Sequence, residues 1–135
     1  MATRTVAALA VAMALLVLGA AGCTDGSEIE NVEWRLVGSS VSSSDLGSLG
    51  ITATFADGQV GGHGGVNSYS ASCTIRGAAL EVGDVTATLM AGPESANIAE
   101  SAYFALLSEA ASYRLEGDTL TLMDASGNDS LIYER

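Results

Sequence analysis

Residues 61–69 read Gly-Gly-His-Gly-Gly-Val-Asn-Ser-Tyr, and the predicted fold depends on whether this stretch binds a ligand or bends the backbone. Four glycines in five residues suit a loop that cradles a phosphate, or a backbone that bulges, bends or passes close beneath another segment. The phosphate interpretation fails, because the chain has no lysine and the stretch does not lead into a helix. The spacing Gly62-x-Gly64-x-x-Asn67 also lacks the third small residue of a dinucleotide fingerprint. We therefore predict a structural bend, at which Asn67 adopts a left-handed conformation or bonds neighbouring amides.

Alternation of apolar and polar residues on both sides of the bend predicts antiparallel strands. Residues 69–76 alternate strictly, and the apolar set that includes Tyr69 and Cys73 shares one face. Before the bend, residues 51–55 alternate in the same way, and Asp57-Gly58 tolerates the positive φ angles of a tight hairpin turn. Further strands are predicted at residues 33–37, 59–60, 78–82, 113–115, 119–123 and 130–134.

One helix is predicted over about residues 98–111. Asn97-Ile98-Ala99-Glu100 matches a capping box, and Pro93 lies upstream, where it does not interrupt the helix. The predicted apolar stripe of this helix consists of Ile98, Ala102, Tyr103, Leu106, Leu107 and Ala110. The connection before the helix is expected to be anchored by Val85, Leu89 and Met90.

These elements predict an α+β, mostly β domain: a curved antiparallel sheet or partly closed barrel of about seven or eight strands, with one helix. The helix is expected to cover one opening or face of the sheet. The domain is expected over residues 32–135, after an acidic tether at residues 23–31.

The first 22 residues have the features of a lipoprotein signal peptide. Arg4 supplies the positive charge, residues 6–18 form an apolar run too short to span a membrane, and Leu18-Gly-Ala-Ala-Gly-Cys23 resembles a bacterial lipobox. The departure is Ala20, because leucine is usual three positions before the cysteine. Cys23 is the expected lipidation site, and the alternative is a plain secretory signal cleaved nearby. The predicted location is the extracytoplasmic face of the cell membrane.

The charge balance excludes several partners. All 16 acidic residues follow Cys23, whereas one of the five basic residues, Arg4, precedes it. The chain after Cys23 is therefore even more negative than the formal charge of −11 of the whole chain. Such a surface repels nucleic acid and anionic lipid headgroups, so we expect no nucleic-acid binding and membrane attachment through acyl chains alone. With Cys23 lipidated, Cys73 has no disulfide partner and is expected to be buried.

No residues form a recognisable catalytic or metal site. His63 is the only histidine, and no Gly-x-Ser-x-Gly elbow accompanies it. Residues 124–129 faintly resemble a calcium loop but lack its ligand spacing, which favours a hairpin turn. Tyr69 and Tyr103 lie on predicted core faces, which favours packing over ligand stacking. We expect no enzymatic activity, no cofactor, no metal and a monomer.

With these residues placed, the chain resembles the META domain family, the HslJ-like proteins of the bacterial envelope, which are often lipoproteins. The resemblance rests on the order of short motifs along the chain. They are Trp34-x-Leu36, Phe55, Gly62-x-x-Gly65-Val66-Asn67-x-Tyr69, Gly77-x-x-Leu80, Thr86-x-Thr88-x-Met90-Ala91, Glu100 with Tyr103 and Leu107, Tyr113, Gly117-Asp118-x-Leu120-x-Leu122 and Leu131-x-Tyr133. The resemblance implies a compact β-rich domain with one helix and no established enzymatic activity, associated loosely with envelope stress and drug tolerance.

Two positions depart from the family pattern. The family usually has cysteine before the asparagine, where this chain has Val66, and cysteine after Met-Ala, where this chain has Gly92. Any thiol-based role of those cysteines is therefore not transferred to this chain.

The expected function is a non-catalytic binding or stress-protection module, held at the membrane by Cys23 and acting on a protein partner in the envelope. The alternative is a lipid-anchored inhibitor of a secreted hydrolase, a protease or a lysozyme-like enzyme, for which the acidic surface would favour a cationic target.

Overall fold

The computed structural model describes residues 26–42 and 45–135, which form nine strands and one helix. The strands are β1 Trp34–Gly38, β2 Thr52–Ala56, β3 Gln59–His63, β4 Ser68–Arg76, β5 Ala79–Val82, β6 Thr86–Ala87, β7 Ala110–Glu116, β8 Thr119–Asp124 and β9 Asp129–Glu134. The helix α1 spans Glu94–Ser108. Within the described residues, no helix is long and apolar enough to cross a membrane.

Eight of the strands close into an antiparallel barrel. Their order is β3-β2-β1-β9-β8-β7-β5-β4, and the pairing of β3 with β4 completes the ring. The ninth strand, β6, pairs with the same edge of β4 as β5 does and continues β5 beyond residues 83–85. The predicted curved sheet with one helix is thus confirmed, and the barrel is fully closed.

Side chains fill the interior of the barrel. Alternate residues of β1, β2, β4 and β5 point inward, as the sequence pattern predicted, so that Trp34 and Leu36 of β1 and Ala53 and Phe55 of β2 are buried. The remaining large side chains that are almost fully buried include Val60, Tyr103, Leu107, Leu120, Leu122, Leu131 and Tyr133. A barrel of eight strands is just wide enough for side chains to fill, and here they do.

Successive turns of an antiparallel meander alternate between two ends. The β2–β3, β4–β5 and β7–β8 turns share one end, which we call the lower end, and the bend between β3 and β4 lies at the other, upper end. Residues 26–31, part of the expected tether, lie against the lower end, where Ile29 is fully buried and its carbonyl accepts a 3.0 Å hydrogen bond from Trp34 Nε1. The guanidinium of Arg135 donates to the Glu28 carbonyl and stacks 5.1 Å from the Trp34 ring.

The helix covers the upper end, but it begins earlier and presents another face than the sequence predicted. Pro93 is its N-cap residue, and the Asn97 side chain instead bonds the N–H and the carbonyl of Gly92. The predicted capping box is therefore wrong. The buried face consists of Ala96, Ala99, Glu100, Tyr103 and Leu107, whereas Ile98 is 58% exposed.

The connection before the helix also differs from the prediction. Val85 packs against the core, but Leu89 is fully exposed and Met90 is 64% exposed. Their backbone belongs to the segment that runs along β4, and hydrophobicity alone does not tell which side chains of an irregular segment face inward.

Cys73 is buried on the inner face of β4, as predicted. Burial raises the pKa of its thiol to about 11, and the charge of Glu30 adds to this effect. Since the thiolate is the reactive form, we expect an aromatic disulfide reagent at pH 8 to label native Cys73 about a hundredfold more slowly than the urea-unfolded chain. The measurement uses Cys23→Ser, in which Cys73 is the only thiol. Equal rates would show that Cys73 is accessible.

Candidate functional site

The glycine-rich stretch forms the end of β3, the bend and the start of β4. A Cβ atom on Gly62 would lie 2.5 Å from the backbone oxygen of Thr52 on β2, so only glycine fits without moving a strand. Gly65 has a φ of +112°, which side chains rarely tolerate. The Gly64 N–H donates to the Asn67 carbonyl at 2.7 Å and closes the bend. The bend is therefore built by backbone geometry, in agreement with the structural interpretation.

A single carboxylate from the helix holds the bend. Oε2 of Glu100 accepts hydrogen bonds from the backbone N–H groups of Val66 at 2.7 Å and of Asn67 at 2.6 Å. Oε1 accepts from Nδ2 of Asn67 at 2.7 Å. We call these three contacts the Asn67–Glu100 link. They join the bend to α1 across 33 residues of sequence.

Asn67 extends the same network to the segment that follows β6. Its Oδ1 accepts hydrogen bonds from the Met90 N–H at 2.7 Å and from Thr88 Oγ1 at 2.9 Å. Its Nδ2 also donates to the Met90 carbonyl at 3.2 Å. One buried amide thus connects the bend, the helix and the connection before the helix. Because a buried polar group without hydrogen-bond partners is costly, the hydrogen bonds made by both Oδ1 and Nδ2 of this amide indicate a structural role.

The ionised form of Glu100 is favoured. Burial raises the pKa of this carboxyl, but the hydrogen bonds from Asn67 and Val66 and the nearby His63 together lower it further, so that the net pKa lies below the ordinary value. Hydrogen bonds donated to a charged acceptor are stronger than those between neutral groups. The link is therefore a charged, desolvated contact and not a surface ion pair.

A chain of tyrosine hydroxyls lies beneath the helix. The Tyr69 hydroxyl donates to the Thr52 carbonyl at 2.7 Å and lies 2.6 Å from the Tyr103 hydroxyl, which in turn lies 2.9 Å from that of Tyr133. The Tyr69 and Tyr103 rings pack edge to face with centroids 5.5 Å apart. Burial raises the pKa of each of these hydroxyls, so all three stay neutral at physiological pH. Tyr69 and Tyr103 are core residues here, with no face open to a ligand.

The two positions that depart from the family pattern are neighbours in space. A Cβ atom on Gly92 would lie 3.6 Å from the Cβ of Val66 and 2.9 Å from its Cγ2. Disulfides have Cβ–Cβ distances of about 3.5–4.5 Å. Valine at one position and glycine at the other thus occupy a site with the spacing of a disulfide.

We expect the double variant Val66→Cys/Gly92→Cys to form this disulfide on oxidation. Closing a loop of this length stabilises a chain by about 3–4 kcal/mol in the loop-entropy estimate. The measurement is the urea midpoint with and without reductant, in a Cys23→Ser/Cys73→Ala background that leaves no other thiol. Two free thiols after oxidation would contradict the geometry, and each single cysteine variant serves as a control.

The other residues singled out in the sequence lie apart from this network or beside it. His63 is exposed, and its Nδ1 accepts a hydrogen bond from the Gly65 N–H at 3.3 Å. Oδ1 of Asp124 accepts from the backbone N–H groups of Ser126 and Asn128, which makes residues 124–129 a self-capped turn. Cys23 lies outside the described residues.

Sequence reasoning missed the partner of the bend. The sequence predicts Glu100 as half of a local capping box and Tyr133 only as part of a strand. One signal was available: a glutamate in the otherwise apolar face of a helix needs a hydrogen-bonding partner, and a glycine-rich bend offers free N–H groups.

Comparison with known proteins agrees with this fold. The sequence profile of the META domain family matches residues 27–135. An NMR structure of a protein from Burkholderia xenovorans is 20% identical with a TM-score of 0.61, and the match covers 80% of this chain and 83% of that one. A second solved structure, described only as an NMR structure of a protein, is 17% identical with a TM-score of 0.59 and covers 79% and 91% of the two chains. At these identities the likeness concerns the fold alone. No curated protein matches the chain.

Proposed function

The chain belongs to the META domain family, and we propose that it is a membrane-anchored, non-catalytic binding or stress-protection module of the bacterial envelope. The family is not a known catalytic one. The observation that carries the proposal is the filled barrel. Because side chains occupy its interior, recognition of a partner falls to the outer surface.

The position of Gly26 supports a short connection between a lipid on Cys23 and the barrel. Gly26 lies against Ile75 at the lower end of the barrel, where a Cβ on Gly26 would be 2.6 Å from Ile75 Cγ2. Gly26 is three positions after Cys23, and three residue steps span at most roughly 11 Å. A lipid on Cys23 would therefore hold the lower end close to the membrane and direct the upper end, with the bend and the helix, away from it.

We expect the protein expressed from the full-length sequence to fractionate with membranes, and Cys23→Ser to move to the soluble fraction. The physical reason is that two or more acyl chains give stable anchoring, whereas an acidic surface has no affinity for anionic headgroups. Labelling with radioactive palmitate should disappear in the same variant. Cys73→Ser is the matched control, and membrane retention of Cys23→Ser would contradict the anchor.

Partner recognition is tested separately by crosslinking in intact cells followed by purification of the protein. The proposal predicts a reproducible envelope protein in the wild type. Recovery of background alone, from cells in which the protein is abundant and folded, would overturn the binding role.

A further inference from the structure

Strand β6 has an unpaired edge. Each of the eight barrel strands pairs with a neighbour on both sides, but β6 pairs with β4 alone among the strands of residues 26–42 and 45–135. Unpaired strand edges present backbone N–H and carbonyl groups that accept another strand. The edge of β6 that faces away from β4 is therefore a place where strand addition is possible.

The register shows which groups face outward. Thr86 pairs with Ser70, and the Thr88 N–H donates to the Ser68 carbonyl at 3.0 Å, so both threonines direct their backbone groups toward β4. Backbone groups alternate in direction along a strand. The N–H and carbonyl of Ala87, which lies between them, consequently point away from β4.

Exposed apolar side chains continue this edge. Leu89 is 100% exposed and Met90 is 64% exposed, although the backbone of Met90 is fixed by two hydrogen bonds with Asn67. A fixed backbone that presents two large apolar side chains to solvent is typical of a binding surface. We call residues 85–90 the β6 edge.

Negative charge flanks the β6 edge at both ends. Asp84 precedes it and Glu94 follows it, and both are exposed. No arginine or lysine occurs between Gly77 and Tyr113. The ion pairs within the described residues involve Arg114 and Arg135, so neither flanking carboxylate takes part in one. The edge therefore lacks a cation of its own.

We propose that the β6 edge binds an extended cationic polypeptide segment, which adds as a strand beside β6. Its backbone bonds the outward groups of Ala87, its apolar side chains contact Leu89 and Met90, and its lysine or arginine residues face Asp84 and Glu94. This deepens the proposed function and rests on it only for the claim that recognition takes place on the outer surface. A second copy of the chain fits less well, because it would bring the same carboxylates and no base.

The test uses the full-length protein and the acetylated, amidated peptide Lys-Val-Lys-Val-Lys-Val-Lys, with affinity measured by calorimetry. We expect binding at low salt that weakens as salt is added, and none for the peptide with glutamate at each lysine position. Ala87→Pro removes the outward N–H but leaves the bonds of β6 to β4, and it should weaken binding at least tenfold. Asp84→Asn/Glu94→Gln should weaken it a few-fold and reduce the salt dependence.

Two further variants keep the test decisive if Ala87→Pro fails to fold. Leu89→Ser should weaken binding about tenfold, whereas Val37→Ser, which removes an exposed valine from β1, should leave it unchanged. Undiminished binding to folded Ala87→Pro, equal binding of the glutamate peptide, or no binding at millimolar peptide would each overturn the proposal. Dimerisation of the peptide-free protein that Ala87→Pro abolishes would overturn the choice of partner.

Failure here is distinguishable from failure of the proposed function. If Leu89→Ser retains the crosslinked envelope partner of the wild type, the protein is a binding module that uses another surface. If the peptide binds but no envelope partner is found, the β6 edge is a site without the proposed envelope role.

Discussion

Glu100→Ala should destabilise the protein by about 3–5 kcal/mol. The change leaves the backbone N–H groups of Val66 and Asn67 and one N–H of the Asn67 side-chain amide without their acceptor, and each unsatisfied buried group costs about 1–3 kcal/mol. That sum is reduced where water enters the gap. Domains of this size are stable by about 5–15 kcal/mol, so the variant should lose a large part of its stability. Urea unfolding measures the effect.

The matched control is Glu109→Ala, which removes an exposed carboxylate just after the same helix. It should change the free energy of unfolding by less than about 0.5 kcal/mol. If both variants lost the same stability, the effect would reflect net charge, and the Asn67–Glu100 link would have no special importance.

The pH dependence of the link has a defined sign. The pKa of Glu100 is lower in the folded protein than in the unfolded chain. Its contribution to stability is therefore present above the unfolded pKa of about 4.3 and is lost as the pH falls through the folded pKa. The free energy of unfolding of the wild type minus that of Glu100→Gln should be constant at neutral pH and should shrink below about pH 4. A difference that grows in acid would contradict the assignment.

Tyr103→Ala should have an effect of similar size, about 3–5 kcal/mol, through packing. The side chain of Tyr103, which belongs to α1, is fully buried against the barrel interior. Its removal opens a cavity beneath α1. Tyr103→Phe separates packing from hydrogen bonding. It keeps the ring but leaves the Tyr133 hydroxyl without this partner, while Tyr69 keeps the Thr52 carbonyl, so a loss of about 1–2 kcal/mol is expected.

Thermal and urea unfolding of the two variants provide the measurement. A loss for Tyr103→Phe equal to that for Tyr103→Ala would show that the hydroxyl chain, and not the ring, closes the upper end. A loss below about 1 kcal/mol for Tyr103→Ala would contradict the position of the helix over the barrel.

The strands were predictable because their signal is local. In a barrel with a filled interior, a strand buries one face and exposes the other. The inward orientation of residues such as Trp34, Phe55 and Cys73 can therefore be predicted from the polar residues on either side of them. The closed ring did not follow from this pattern, since alternation gives the faces of the strands and not their order.

The helix start was not predictable, because the residues that signalled it form longer-range contacts. Asn97 and Glu100 have the spacing of a capping box, but Asn97 bonds Gly92 and Glu100 bonds the bend. Local hydrogen bonds compete with tertiary ones for the same side chains, and the sequence does not show which wins. The exposed Leu89 and Met90 have a similar explanation: their segment is fixed through backbone bonds to Asn67, so their side chains are not needed as anchors.

The bend is structural, as its glycines predict, but its stabilising partner lies 33 residues away in the sequence. We infer that Asn67 and Glu100 act as one unit that locks the bend to the helix. A double-mutant cycle of Asn67→Ala and Glu100→Ala, measured by urea unfolding at pH 7, tests it most directly. We expect a coupling of about 1.5–3 kcal/mol for this buried, charged hydrogen bond. Additivity within about 0.5 kcal/mol would contradict it.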